Sequence, residues 1–331
     1  MDTRPTMQAF CNVLAIEKGL NPAGYADNFD DMILFEVPLP WKRDIYQKAG
    51  ILPQQAIDLL GIWLEEYYET KRYPHRPLLI VHDPEYSQKG WRRVMFYTRQ
   101  TGDIAQFDKV EYQVPEEELG DLLWALYQAR EDLPRFEQYR QPDKDHTRDL
   151  LVCTHGTIDA ACAKFGHPLY KNLRHNHAND DVRVWRVSHF GGHVFAPTMI
   201  EMPTAHFWAY VEEPQALQIV GRDGDIAGLN GHYRGWGGVA GGFLQSAEAE
   251  MLQRHGWDWF NAPKSGETIE QDPKPDKPEW AVVQLQAQLP EGMVRYEVRV
   301  EIQQYIETFT TTGNQHTYNY PQYVVVDVKQ I

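Results

Sequence analysis

The sequence predicts an α/β protein, on three observations. Short apolar runs of strand type alternate with stretches of helical periodicity through most of the 331-residue chain. A block opening near residue 146 reads strand, helix, strand, loop, hairpin, helix. Residues 281–331 carry only β-type alternation. The predicted organisation is an α/β unit over 1–145, a second α/β unit over 146–260, a linker over 261–280 and a β-rich segment over 281–331.

In the first unit, "MILFEV" (32–37) and "PLLIVH" (77–82) predict strands. Between them "AIDLLGIWLEEYYET" sets Leu59, Leu60, Trp63, Leu64 and Tyr67 on one helical face. "RVMFYTR" (93–99) and "KVEYQV" (109–114) predict two more strands, and "PEEELGDLLWALYQAR" opens with the proline and acids of a helix N-terminus. The polar stretch 135–149 marks a boundary. Beyond it "LLVC" (150–153) predicts a strand, and "TIDAACAKFGHPLYKNL" a helix with Thr157 as its cap. "DVRVWRVS" (181–188) is an alternating strand, "TMIEMP" and "HFWAYV" form a hairpin, and "PQALQIV" starts a helix. That order is the order of a thioredoxin-like fold. "GLNGHYRGWGGVAGG" reads as a glycine-rich loop before a helix in "LQSAEAEMLQRHG". In the tail Val294, Tyr296, Val298 and Val300 fall on one side of a strand. No internal repeat is visible.

Composition narrows the function classes. No apolar run reaches the roughly 20 residues of a membrane span. The N-terminal "MDTRPTMQAFCNVL" has no basic stretch leading into an apolar one, which predicts no signal peptide and a cytoplasmic protein. A net charge of −15 opposes nucleic-acid binding. The acidity serves solubility and also suits a basic partner protein. Three cysteines, Cys11, Cys153 and Cys162, do not make a disulfide framework.

The chemistry concentrates in two stretches. Cys153 closes a strand and Cys162 follows on the next helix, with eight residues between them; His189 and His193 flank Gly191 and Gly192 just past the next strand. In a βαβ layout both connections emerge at one end of a parallel sheet. Each pair has a plain reading, as buried small side chains and as loop histidines; together they make a donor set of two sulfurs and two nitrogens. Structural zinc sites take cysteines from tighter knuckles, of about two to four intervening residues. An iron–sulfur cluster tolerates wider spacing, and two cysteines with two histidines match a 2Fe–2S centre in composition. His155 and His167 are rival ligands, as are His175 and His177; Cys11 reads as structural, Trp41 as core, and Arg234 as near the site or facing a partner.

"CTHGTIDAAC" and "SHFGGHVFAP" resemble the two hallmark motifs of the sucrase/ferredoxin-like family of thioredoxin-like ferredoxins. "FEVPLPW" (35–41) resembles its N-terminal signature, and "HYRGWGG" with "LQSAEAE" its later segment. The resemblance spans residues 8–257 and not the β-rich tail. Ordinary members carry four cysteines, the last two spaced C-x3-C; here His189 and His193 occupy that spacing, as in the bis-histidinyl members. The resemblance therefore implies a 2Fe–2S cluster on Cys153, Cys162, His189 and His193. It also implies an electron carrier rather than an enzyme, serving an unidentified redox partner protein; the β-rich tail, outside the resemblance, suits covering a sheet edge or making a homodimer. Nothing in these residues supports a sucrase. Two other readings remain open here: a zinc-stabilised binding module with the same ligands, and a thiol-redox protein using Cys153 and Cys162.

Overall fold

The computed structural model describes residues 10–47, 50–142, 147–274, 277–314 and 316–331. After a short helix α1 (Cys11–Glu17), strand β1 (Asp31–Glu36) is buried along its whole length, as an apolar run covered on both faces must be. Helix α2 (Gln54–Thr70) crosses to β2 (His75–Ile80), parallel to β1. Strand β3 (Trp91–Thr98) pairs antiparallel on the other side of β1, β4 (Asp108–Pro115) pairs with β3, and α3 (Leu119–Tyr127) follows.

The second half runs through the same sequence of elements. Strand β5 (Arg148–Cys153), helix α4 (Ala160–Asn176) and strand β6 (Val182–Val187) form a parallel crossover. Strands β7 (Met199–Met202) and β8 (His206–Trp208) continue antiparallel beyond β5, and α5 (Glu213–Gly221) closes the set. The spatial orders β4-β3-β1-β2 and β8-β7-β5-β6 are the same, with the same pairing senses. The two halves are thus one topology used twice. They join into a single nine-stranded sheet where β2 meets β6 antiparallel, Ile80 opposite Val187; β9 (Tyr233–Trp236) extends it beyond β8. The repeat is invisible in the sequence because topology constrains only the apolar pattern of each element, which many residues satisfy.

Helices α6 (Gly242–His255) and α7 (Trp257–Asn261) lead into a separate antiparallel sheet of β10 (Lys264–Gln271), β11 (Trp280–Leu289), β12 (Gly292–Phe309) and β13 (Thr317–Gln330), in chain order. Strand β10 lies within the stretch read as a linker: its polar residues are mostly exposed, yet its backbone pairs with β11. The alternation in the tail holds. Val294, Tyr296, Val298 and Val300 are all buried in a core shared with Leu244, Met251 and Leu252 of α6.

The halves are fastened by a buried carboxylate. Asp149 on β5 accepts from Tyr97 of β3 (2.6 Å), Lys109 of β4 (2.6 Å), and Arg183 and Trp185 of β6 (2.8 and 2.7 Å). Burial works to raise its pKa, but Arg183 and Lys109 outweigh it and hold the carboxyl far below the usual range. A group so depressed contributes stability above its unfolded pKa of about 3.9, and that contribution is lost as pH falls below it. Asp149→Asn should therefore destabilise the protein by about 3–5 kcal/mol, as expected for one partner removed from a buried ion cluster. Urea unfolding followed between neutral pH and about pH 3 should show the variant losing less stability on acidification than the parent.

Candidate metal centre

The centre starts from backbone contact. Cys153 is the last residue of β5, and Cys162 lies in the first turn of α4. A Cβ on Gly166 would stand 2.0 Å from the Cys153 carbonyl oxygen, so this glycine is what lets the helix lie directly on the strand end. The helix is capped by Asp159, whose carboxylate accepts from the Ala161 N–H at 2.8 Å. Thr157, the cap expected from the sequence, instead donates to the Trp41 carbonyl at 2.9 Å and ties the "FEVPLPW" segment to the cysteine loop.

The two histidines follow β6. Ser188 anchors the turn to β2: its N–H donates to the Leu79 carbonyl, and its Oγ accepts from the Leu79 N–H, both at 2.9 Å. His189 then sets Nδ1 3.7 Å from Cys153 Sγ and 3.6 Å from Cys162 Sγ. The ligand atoms of these three residues lie within 4.8 Å of one another. Gly191 and Gly192 both take positive φ, 88° and 75°, conformations that suit glycine. His193 starts the following 3₁₀ turn, its ring centroid 5.2 Å from that of His189.

A model of the sucrase/ferredoxin-like family matches residues 22–235, well over half of the chain. The chain belongs to that family. No curated protein and no solved structure matches it in the same comparisons.

The family match ends before α6, yet the tail beyond it reaches the centre. At the tip of the β12–β13 hairpin the Thr310 carbonyl pairs with His193 Nε2. Thr312 donates to Asp159 twice, from Oγ1 at 2.6 Å and from its N–H at 2.8 Å. Asp159 also lies 3.8 Å from His193 Nε2. With Nε2 held, His193 Nδ1 is left buried and, among the described residues, without a partner.

The thiols share their protons unequally. Burial opposes ionisation of Cys153, but hydrogen bonds from Cys162 and His189 hold its pKa well below the usual thiol value. Its hydrogen bond to Cys153, then burial, push Cys162 well above that value. The pair therefore favours one thiolate and one thiol in the absence of a cation, and a cation would draw off the second proton. Burial lowers the His193 pKa, which keeps the ring neutral and its nitrogen lone pair available.

The other residues singled out in this family member sort around the four. Cys11, far away in sequence, packs behind the loop with Sγ 3.6 Å from the His193 carbonyl; burial pushes its pKa up to about 12, so it stays a thiol. His155 supports the centre, its Nδ1 accepting the His189 N–H at 3.3 Å. His167, His175 and His177 lie on or at the end of α4, outside the donor group. Trp41 is core, 4% exposed. Arg234 is buried beneath the glycine pair, donating to the Tyr25 carbonyl at 2.6 Å, and a Cβ on Gly192 would collide with its guanidinium. Sequence reasoning missed Gly166, Asp159 and Thr312. Glycine inside a helical pattern was the available signal for the first; the other two depend on a contact 153 residues apart in sequence.

Two substitutions test this frame. Gly166→Ala should cost about 1–3 kcal/mol or more, because the backbone it meets cannot yield as a side chain would; urea denaturation reads the cost. Thr312→Val removes one donor to a buried carboxylate and should cost about 1.5–3 kcal/mol in the same assay.

Proposed function

We propose that this protein is an electron carrier holding a 2Fe–2S cluster on Cys153, Cys162, His189 and His193. The observation that carries the reading is His193. Its Nδ1 is buried and unpartnered among the described residues, its Nε2 is tied to a carbonyl, and it falls outside the 4.8 Å grouping of the other three. A ring nitrogen bonded to a backbone carbonyl is the usual support of a ligating histidine. Four donors that do not close on one point suit a group larger than a single ion, and two sulfurs with two imidazoles suit iron and sulfide.

Such a cluster would supply one-electron transfer. The chain's own part is to hold the donors in register, to bury the thiols, and to shield His193 with the Thr310–Thr312 tip. Nothing in the donor arrangement calls for a substrate of its own, so the electrons would go to a separate redox partner protein, in the cytoplasm.

One observation favours a second reading. His189 already lies 3.6–3.7 Å from both sulfurs, which is close to the edge of the tetrahedron that metal–ligand distances of about 2.3 and 2.0 Å build around one zinc ion. A zinc-stabilised module would use that triad with a fourth donor.

Colour and content separate the two. Anaerobically purified protein should be brown-red, bleach with dithionite, and contain iron and acid-labile sulfide in equal amounts. A colourless protein holding zinc, and refusing reconstitution with iron and sulfide, establishes the second reading instead. In the loaded protein, replacing His189 and His193 together by cysteine should lower the midpoint potential, by an amount on the order of 200 mV, because thiolates add negative charge where imidazoles add none.

A further inference from the structure

Beside the donor group lies a cavity of about 570 Å³ that the electron-carrier reading does not use. Small organic ligands occupy sites of roughly 300–1,000 Å³, preferentially at the seam between domains. This cavity sits on such a seam. Leu60 and Leu64 of α2 and the Tyr73–Pro77 segment entering β2 form walls from the first half; His189 comes from the second. At its mouth Leu64 and Tyr73 are 46% and 53% exposed, large apolar groups left in water around a concave surface.

The polar groups set into the wall are mostly committed. Tyr46 bonds Ser188 Oγ at 2.7 Å, His75 bonds Asp31 at 2.6 Å, and Arg76 is neutralised by Asp27 at 3.0 Å. Gln47 lies exposed at the rim. His189 differs. Its Nδ1 is turned to the thiols, and with a cation held at that nitrogen the ring carries its proton on Nε2. Among the described residues Nε2 has no hydrogen-bond partner, and the ring lines the cavity. The result is a largely apolar slot with an imidazole edge beside the candidate metal centre, its one guanidinium, Arg76, paired with Asp27.

We propose that this slot binds a planar, largely apolar ring compound bearing a carbonyl oxygen, of the quinone class, with the carbonyl accepting from His189 Nε2–H. The choice of a redox-active ring rests on the electron-carrier reading; the binding itself requires the slot and a cation of either kind, iron or zinc, on His189 Nδ1.

The test is calorimetric titration of the full-length protein, loaded with iron and sulfide or, separately, with zinc, using duroquinone, whose fully substituted ring does not add thiols readily. Saturable one-to-one binding is expected, weakened roughly tenfold or more by Leu60→Trp, which fills the slot, and by Leu64→Glu, which charges its mouth. Durene, the same ring without carbonyls, should bind at least roughly tenfold more weakly. Circular dichroism and urea midpoints of both variants verify that they fold as the parent does. Three outcomes overturn the proposal: no saturable binding up to about 0.5 mM, equal binding of durene, or affinity unchanged in both folded variants. Because the titration is also run on zinc-loaded protein, a colourless preparation would sink the cluster while leaving this result standing, and the reverse holds equally.

Discussion

Asp159 accepts from the Ala161 amide at the start of α4, from the Thr312 hydroxyl and from the Thr312 amide, and lies 3.8 Å from His193 Nε2. Its side chain is wholly buried. A carboxylate withdrawn from water is costly unless its oxygens are filled, so these donors are held where they are by the penalty of leaving it bare. That one constraint fixes the helix end carrying Cys162, the tail hairpin and the environment of His193 relative to each other. Cys11 of α1 packs onto the same carboxylate, 3.9 Å away. The two motifs thus meet through a group that belongs to neither the sulfur nor the imidazole donors.

The duplicated topology explains why the candidate donor group occurs once among the described residues. Topologically, the last residue of β1 corresponds to the last residue of β5. The second half has Cys153 there; the first half has Glu36, buried and satisfied by Ser87, the Arg93 N–H at 3.0 Å and His82 at 3.4 Å. The first half therefore keeps the architecture and carries a closed hydrogen-bond cluster in place of the candidate metal donors. Its contribution is positional. Strand β2 holds Ser188, α2 walls the cavity beside His189, and Tyr97 and Lys109 complete the shell of Asp149.

The tail has a similar supporting part. Strand β12 is 18 residues long, more than its inner core face requires, since that face is spent by Val300. The remainder carries the chain across to Phe309 and on to Thr310 and Thr312. A segment outside the family match thereby determines which nitrogen of His193 is engaged and which is left open.

Most strands and helices, the buried face of β12 and the grouping of Cys153, Cys162 and His189 were legible from residue pattern, whereas β9 lies in the stretch read as a glycine-rich loop and His193 falls outside that grouping. Apolar periodicity reports local geometry directly, and soft donors at the ends of adjacent parallel strands have one place to converge. The duplication, the strand within the expected linker, the cap at Asp159 rather than Thr157, and the close approach at Gly166 were not. Each of these depends on which distant backbone or side chain arrives next to a residue, and a single sequence records pairings of that kind only as ordinary polar or small residues. Sequence alone therefore singled out candidate donors, and tertiary structure decided which of them group, how they are held and what lies against them. Local pattern encodes an element's own shape, whereas desolvation and hydrogen-bond satisfaction act only after the elements have packed.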